Sequence, residues 1–224
     1  LTWIDHHKTA INEYLSLQRT SKIGPILGVR AIDQAACELC WIYCFGAPMP
    51  RAVYLLGRYD IWDHDADDDI LPFQYGMRAQ DTRPDSLLWS ELLGIAPLSP
   101  LDNARDHITK TTKDGRAILA YQKRLNAQMA ALISFETELD GLQLIAANVT
   151  ANSLFFDSVF DPERHDACCV FRWEGNQWRV SLYTDQEGVD VGKIAKARGG
   201  GGHAGAAGFR CKELPLQDEM VFAK

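Results

Sequence analysis

The stretch RGGGGHAGAAGF, from Arg198 to Phe209, decides how the second half of this chain is interpreted. Four consecutive glycines weaken any helix or strand that contains them, because glycine loses the most backbone freedom on folding. Successive backbone N–H groups with no Cβ in the way can form a nest that binds an anion, and the following imidazole can donate to a phosphate oxygen. We therefore predict a phosphate-binding loop made of Arg198, Gly200, Gly201, Gly202 and His203.

Two other interpretations of the glycine run fit the sequence less well. A flexible linker usually mixes glycine with serine and lies between domains. This run instead lies between a predicted helix, capped by Asp190 and ending at Ala197, and a predicted last strand, AGFRCK. A dinucleotide fingerprint needs its glycines after a strand, whereas these follow a helix.

The hydrophobic period changes along the chain. A period near 3.6 predicts helices over 9–17, 31–45, 85–93 and 101–132, the last one interrupted at Gly115. The segment 49–62 is compatible with a buried helix or a strand, 63–69 is an acidic loop, and 94–100 is a proline-marked turn. A period of two then predicts strands over 132–139, 142–149, 167–174 and 177–184, with a helix over 152–160.

The composition is that of an ordinary soluble protein, with 224 residues and 46% hydrophobic residues. The net charge of −7 argues against a broad surface for coating nucleic acid. No apolar run reaches the roughly 18 residues of a membrane span, and the first residues are not a signal peptide. Cys37, Cys40 and Cys44 share one face of a helix, where a buried thiol stripe is favoured over a metal cluster. Because nothing suggests a disulfide scaffold, we expect a cytoplasmic protein.

The segment WIDHHKTA places Asp5, His6 and His7 after an apolar stretch, as at the carboxyl end of a strand. Histidine is the commonest metal ligand, and a neighbouring carboxylate can fix its tautomer. Alone, the triplet is a weak signal, and a surface or capping role is the favoured interpretation.

Taken together, the two segments resemble the DHH family of phosphoesterases with a C-terminal DHH-associated domain. Asp5, His6 and His7 match the motif that names the family, and 180–209 is similar to the associated domain's glycine-rich signature. The resemblance spans nearly the whole chain, within an oligoribonuclease-like (nanoRNase) or exopolyphosphatase-like branch. It implies an α/β fold: a parallel-sheet DHH domain over 1–112 that lacks its first strands, a helical linker, and a mixed-sheet α+β associated domain over 113–224.

The resemblance also implies site residues and cofactors. Two divalent ions, typically Mn²⁺, would activate a water between the domains of an intact parent protein. His6 would bind a metal, Asp5 would orient it, and His7 would face the substrate phosphate. Asp60, in the similar segment GRYDIW, would be a further metal ligand, with Asp63 in reserve.

The chain departs from the family pattern in two places. An upstream His-x-Asp-x-Asp motif has no counterpart, since only four residues precede Asp5 and no Met begins the chain. We therefore interpret the chain as an N-terminal truncation and expect little hydrolysis with Mn²⁺. Tyr183 stands where many relatives have an arginine that faces the substrate, for which Arg179 or Arg198 could compensate.

The leading functional hypothesis is hydrolysis of phosphate esters of short oligonucleotides or nucleotides. The alternatives are hydrolysis of inorganic polyphosphate and nucleotide or RNA binding without catalysis. No membrane partner is expected, and homodimerisation stays open. His64, His107 and His165 are interpreted as surface or locally hydrogen-bonded residues, and Trp173 and Trp178 as a cross-strand pair.

Overall fold

The fold is a mixed α/β architecture, as predicted. The structure, a computed structural model, describes residues 1–46, 48–95, 101–216 and 221–222. The chain divides into two compact units, Leu1–Tyr121 and Gln122–Lys224, and the division falls inside one long helix. Among the described residues, none of the helices combines the length and apolar character that a membrane span requires.

The first unit is built mainly from helices. They are α1 (Lys8–Arg19), α2 (Ala36–Phe45), α3 (Arg51–Asp60), α4 (Ile70–Met77), α5 (Leu87–Leu92) and the first part of α6 (Leu101–Ile133). The segment 49–62, which the sequence left between helix and strand, is therefore helical at α3. The 2–5 segment runs parallel to 27–30 through the isolated bridges Thr2 to Leu27 and Asp5 to Arg30.

Two glycines allow α4 and α6 to touch backbone to backbone. A Cβ added to Gly115 would lie 1.8 Å from the carbonyl oxygen of Pro72, and one added to Gly76 would lie 2.1 Å from that of Thr111. The predicted interruption of the long helix at Gly115 is thus wrong: α6 is continuous there, and the glycine is needed for packing.

The second unit contains a seven-stranded mixed sheet. Its strands are β1 (Phe135–Leu139), β2 (Leu142–Asn148), β3 (Ala167–Trp173), β4 (Trp178–Tyr183), β5 (Gly201–Gly202), β6 (Ala206–Cys211) and β7 (Val221–Phe222). Their order is β5-β6-β4-β3-β2-β1-β7, and only the β2–β3 pair is parallel. The helix α7 (Val191–Ala197) connects β4 to β5, and Asp190 caps it by accepting from the Lys193 N–H, as predicted.

Alternation along the strands produces a core on each face of the sheet. Cys169, Val180 and Phe209 pack with Val191 and Ala195 of α7 on one face. On the other face, Cys168, Val170 and Ile145 belong to a cluster that includes Ala130 of α6 and Phe156. The adjacent cysteines therefore point to opposite faces, as the strand period requires.

Three further predictions of local structure are wrong. The 152–160 segment is not a helix but a short 3₁₀ turn at Ser153–Phe155 followed by turns. The helix predicted from residue 31 begins only at Ala36. Cys37, Cys40 and Cys44 are exposed residues rather than a buried stripe, although the Cys37 thiol points inward, where it donates to the Val53 oxygen. The predicted turn over 94–100 lies mostly outside the described residues.

The glycine run forms the hairpin β5–β6, in which Gly201 pairs with Gly208 and Gly202 with Ala207. A Cβ on Gly200 would lie 2.1 Å from the Gly208 oxygen, and one on Gly202 would lie 2.4 Å from the Ala206 oxygen. Gly202 also has a φ of +142°, which other residues rarely adopt. A Cβ on Gly201, by contrast, would meet nothing within 4 Å. Packing therefore explains two of these glycines but not Gly201.

This difference predicts that alanine destabilises the protein at Gly200 but not at Gly201. Gly200→Ala should lower the free energy of unfolding by about 1–3 kcal/mol, because the methyl group must displace the β6 backbone. Gly201→Ala should change it by less than about 0.5 kcal/mol, as an exposed substitution does. Urea unfolding of the whole chain measures both, and equal losses for the two variants would contradict the packing argument.

Candidate functional site

The Asp5-His6-His7 triplet lies where the extended 2–5 segment turns into α1. The Trp3 N–H donates to the Leu27 oxygen (2.8 Å) and the Asp5 N–H to the Val29 oxygen (3.2 Å). Arg30 lies 5.1 Å from the ring centres of both Trp3 and Tyr14, and donates to the Trp3 oxygen (3.2 Å). These contacts hold the backbone that carries the triplet.

Asp5 organises both histidines. Its Oδ1 accepts from the backbone N–H groups of His6 (2.8 Å) and His7 (3.0 Å) and lies 2.7 Å from His7 Nδ1. Partial burial acts to raise the pKa of Asp5, but the hydrogen bonds from the His7 side chain and from the two backbone N–H groups outweigh it and hold the pKa below its usual value. Asp5 is therefore ionised at neutral pH and can only accept.

That ionisation fixes the tautomer of His7. Because an ionised carboxylate has no proton to give, His7 Nδ1 must be the donor in the 2.7 Å contact. In neutral His7 the proton-free nitrogen is therefore Nε2, on a side chain that is 52% exposed. This is the arrangement in which a histidine acts as a base or a ligand.

His6 has the opposite arrangement. Its side chain is buried, its Nδ1 accepts the backbone N–H of Ala36 (3.1 Å), and its Nε2 lies 3.4 Å from Asp60 Oδ2. Accepting at Nδ1 leaves the proton of the neutral ring on Nε2, the nitrogen nearer the Asp60 carboxylate. The structure thus brings together His6 and Asp60, which are 54 residues apart, as a close pair.

A buried ion pair positions both members of this His–Asp pair. Glu38 Oε2 accepts from the Ala35 N–H (2.8 Å) at the start of α2 and from Arg58 Nη2 (2.5 Å) on α3. Arg58 also donates to the Asp33 oxygen (3.2 Å). The start of α2, which contacts His6, is thereby tied to the end of α3, which carries Asp60.

Three carboxylates of the acidic loop after Asp60 are paired with arginines. Asp63 Oδ2 accepts from Arg58 Nη1 (3.2 Å), and Asp67 lies 2.6 Å from Arg51. Asp69 accepts from Arg116 (2.5 Å). Asp60, rather than the reserve candidate Asp63, is therefore the carboxylate that lies against His6.

The His6–Asp60 pair fits a divalent cation in the kind of its donors but not in its tautomer. An imidazole nitrogen and a carboxylate oxygen are ordinary ligands, although a catalytic site commonly has three from the protein. A metal-binding histidine donates its other ring N–H, whereas the other nitrogen of His6 accepts one. The residues therefore do not fit the metal as they are arranged, and no step below passes through one.

The glycine hairpin uses two of the amides that the sequence assigned to an anion nest. The Gly200 N–H donates to the Ala195 oxygen (2.9 Å), and the His203 N–H donates to the Ala206 oxygen (2.8 Å). The turn amides of Ala204 and Gly205 donate to no backbone carbonyl among the described residues. The expected nest over 200–203 is therefore corrected: since Gly201 pairs with Gly208 in the β5–β6 ladder, the donors left for an anion are the turn amides of Ala204 and Gly205, beside the His203 imidazole.

Arg198 is held by a carboxylate. Its Nη1 and Nη2 donate to the two Asp140 oxygens at 2.8 and 2.7 Å, and its guanidinium lies 5.3 Å from the centre of the Phe209 ring. The hydrogen bond from Arg198 lowers the pKa of Asp140, more than burial raises it. The structure thus gives Arg198 a role in fastening the end of α7 to the β1–β2 turn.

A row of arginines on the sheet was not predicted. Arg172, Arg179 and Arg210 face one another across β3, β4 and β6, and Glu174 accepts from Arg172 (2.8 Å) and Arg210 (3.0 Å). These two hydrogen bonds, of which the one from Arg172 has the larger effect, lower the pKa of Glu174 to about 2. Arg179 also lines a cavity of about 160 Å³ with Ser181 and Tyr183. The sequence feature that could have predicted this row is the alternation of arginine with apolar residues in FRW, WRV and FRC.

The other three histidines, and the tryptophans of β3 and β4, have local contacts. His64 stacks on Tyr59, with ring centres 5.2 Å apart, and His107 lies 3.5 Å from Glu91. His165 is buried and accepts from the Asp161 N–H (2.9 Å). Trp173 and Trp178 form the predicted cross-strand pair, with ring centres 5.3 Å apart.

The sequence matches no protein-family model and no curated protein sequence. The solved structures that are similar to it include the following two. One is PggH, a pGpG-specific phosphodiesterase from Vibrio cholerae, with 12% identity over 88% of this chain and 82% of that chain, at a TM-score of 0.39. The other is an uncharacterised protein from Helicobacter pylori G27, with 13% identity over 96% of this chain and 75% of that chain, at a TM-score of 0.31. Likenesses this weak carry over neither a site residue nor an activity.

The buried Glu38–Arg58 pair predicts a large loss of stability on truncation. Glu38→Ala should lower the free energy of unfolding by about 3–5 kcal/mol, because Arg58 keeps a buried charge without its carboxylate. Asp81→Ala removes the exposed partner of Arg83 and should leave stability unchanged. Urea unfolding of the two variants measures this, and similar stability for both would show that the Glu38–Arg58 pair does not anchor α2 to α3.

Proposed function

We propose that this protein binds and hydrolyses phosphate esters of short oligonucleotides or nucleotides. The observation that carries the proposal is the β5–β6 hairpin. Gly200 and Gly202 are required by packing, whereas Gly201 leaves bare backbone where a side chain would fit. A glycine that neither packing nor a positive φ demands favours a ligand that approaches the backbone closely.

The donors around Gly201 suit a phosphate group. The amides of Ala204 and Gly205 are adjacent at an exposed turn and are not used by backbone carbonyls of the described chain. The His203 imidazole can add a hydrogen bond, and a charge-assisted one when it is protonated. Consecutive turn amides of this kind form anion-binding concavities.

The first unit supplies residues that can move protons. His6 carries a proton on Nε2 against Asp60, as a general acid does, and His7 has its proton-free Nε2 on an exposed side chain, as a general base does. Asp5 keeps His7 in that tautomer through Nδ1. These roles need no group beyond the side chains of the described chain.

Divalent metal, most often Mn²⁺, is the cofactor that the family resemblance implies. When bound, such an ion would polarise the phosphate and activate a water. His6 and Asp60 are the residues that the resemblance assigns to it, and their present arrangement opposes it, as described above. A nucleotide-binding role without turnover is therefore the second candidate, because it requires only the hairpin.

Titration with a nucleoside monophosphate, followed by amide NMR of the whole chain, tests the hairpin. We expect the largest shifts at Gly201, Ala204 and Gly205. His203→Ala should weaken binding by about 1.5–3 kcal/mol, the worth of one hydrogen bond to a charged group. The control is His107→Ala, which removes an exposed histidine of the first unit.

Two results would contradict the proposal. Shifts scattered away from 199–205 would mean that the glycine run is only a turn between α7 and β6. Equal affinities for His203→Ala and wild type would remove the imidazole from the site.

A further inference from the structure

We propose that the backbone N–H of Ala36 locks His6 in the tautomer that carries its proton on Nε2, and that this lock opposes cation binding at His6 and Asp60. The inference concerns the state of the His–Asp pair and does not depend on hydrolysis.

The lock begins with an amide that the helix cannot use itself. Ala36 is the first residue of α2, and the first N–H groups of a helix have no partner within it. This one donates to His6 Nδ1 over 3.1 Å. A neutral imidazole has one donor and one acceptor nitrogen, so the bond at Nδ1 assigns the proton to Nε2.

The Nε2 proton occupies the position that a cation would need. Nε2 and Asp60 Oδ2, 3.4 Å apart, are the two atoms that the resemblance assigns to a metal, and a protonated Nε2 has no lone pair with which to bind one. For Nε2 to bind a cation in a neutral ring, the proton must move to Nδ1. There it would point at the Ala36 N–H, and the ring would have to turn away and give up that hydrogen bond.

The lock is held rigidly. Ala35, just before it, donates its N–H to Glu38 Oε2 (2.8 Å), and Arg58 donates to the same oxygen (2.5 Å). The His6 side chain is only 7% exposed, so its ring is enclosed by neighbouring atoms. Turning the ring therefore costs a hydrogen bond that water does not readily replace.

One substitution removes the lock and also moves the His6 ring away from α2, because the proline Cδ takes the place of the amide hydrogen that lies against Nδ1. Ala36→Pro deletes the N–H, and proline is well tolerated at the first position of a helix. The preceding residue, Ala35, has φ −70° and ψ 157°, the extended conformation that proline requires before it. Leu87→Pro is the matched control: Leu87 is the first residue of α5, follows Ser86 at φ −67° and ψ 138°, and is exposed.

Two measurements test the lock: the tautomer of His6 and the affinity for Mn²⁺. The ¹⁵N shifts of the His6 ring in the metal-free chain should show a protonated Nε2 in wild type and in Leu87→Pro. They should move toward a mixture of tautomers in Ala36→Pro. Titration of Mn²⁺, followed by the EPR signal of the free ion, should show binding that is roughly two- to tenfold tighter for Ala36→Pro, the equivalent of one net hydrogen bond.

The wild-type spectrum alone can overturn the inference, whatever the variant does. A proton on Nδ1 of His6 in the folded, metal-free protein would do so. Equal Mn²⁺ affinities for wild type and Ala36→Pro, or no binding by either, would also overturn it. The nucleotide titration of the hairpin is a separate measurement, so its failure would leave these results unaffected.

Discussion

The first unit depends on the buried ion pair between Glu38 and Arg58. The carboxylate is 3% exposed, and the guanidinium also holds the Asp33 carbonyl and Asp63. Burying two charges costs solvation energy, so such a pair is stable only when further hydrogen bonds satisfy its atoms. Here those bonds reach the start of α2 and both sides of Asp60. The position of the His6–Asp60 pair is therefore set by residues that do not touch it.

The second unit relies on the absence of side chains instead. Gly200 and Gly202 let β5 lie directly against β6. Gly192 leaves room beside the His203 carbonyl, which a Cβ on Gly192 would approach to 2.9 Å. This packing presents Gly201, His203 and the turn amides at an edge of the sheet. Gly201, which this packing does not require, adds the bare backbone on which phosphate binding is proposed.

The positions of the helices and strands could be predicted from the sequence more fully than the hydrogen bonds of the candidate site. Period and capping located α1, α6, α7 and the strands β1 to β4 and β6, because alternation and N-caps depend on neighbouring residues. The short strands β5 and β7 were not predicted. The use of the Gly200 and His203 amides by Ala195 and Ala206 could not be predicted, since it depends on how closely the hairpin approaches α7 and β6. The contact of Ala36 with His6, 30 residues apart, leaves no trace in any local pattern. Arg58 was unremarkable in the sequence, and only the fold shows that it binds Glu38.

Turnover of a dinucleotide phosphodiester by the whole chain tests the central claim most directly. Wild type, His6→Ala and Asp63→Asn should be compared side by side, with and without Mn²⁺. The account predicts product release above the buffer rate for wild type and Asp63→Asn, and a loss of about 10²-fold or more in His6→Ala, the usual worth of a general acid. Release by His6→Ala at the wild-type rate, or by wild type at the buffer rate, would contradict it.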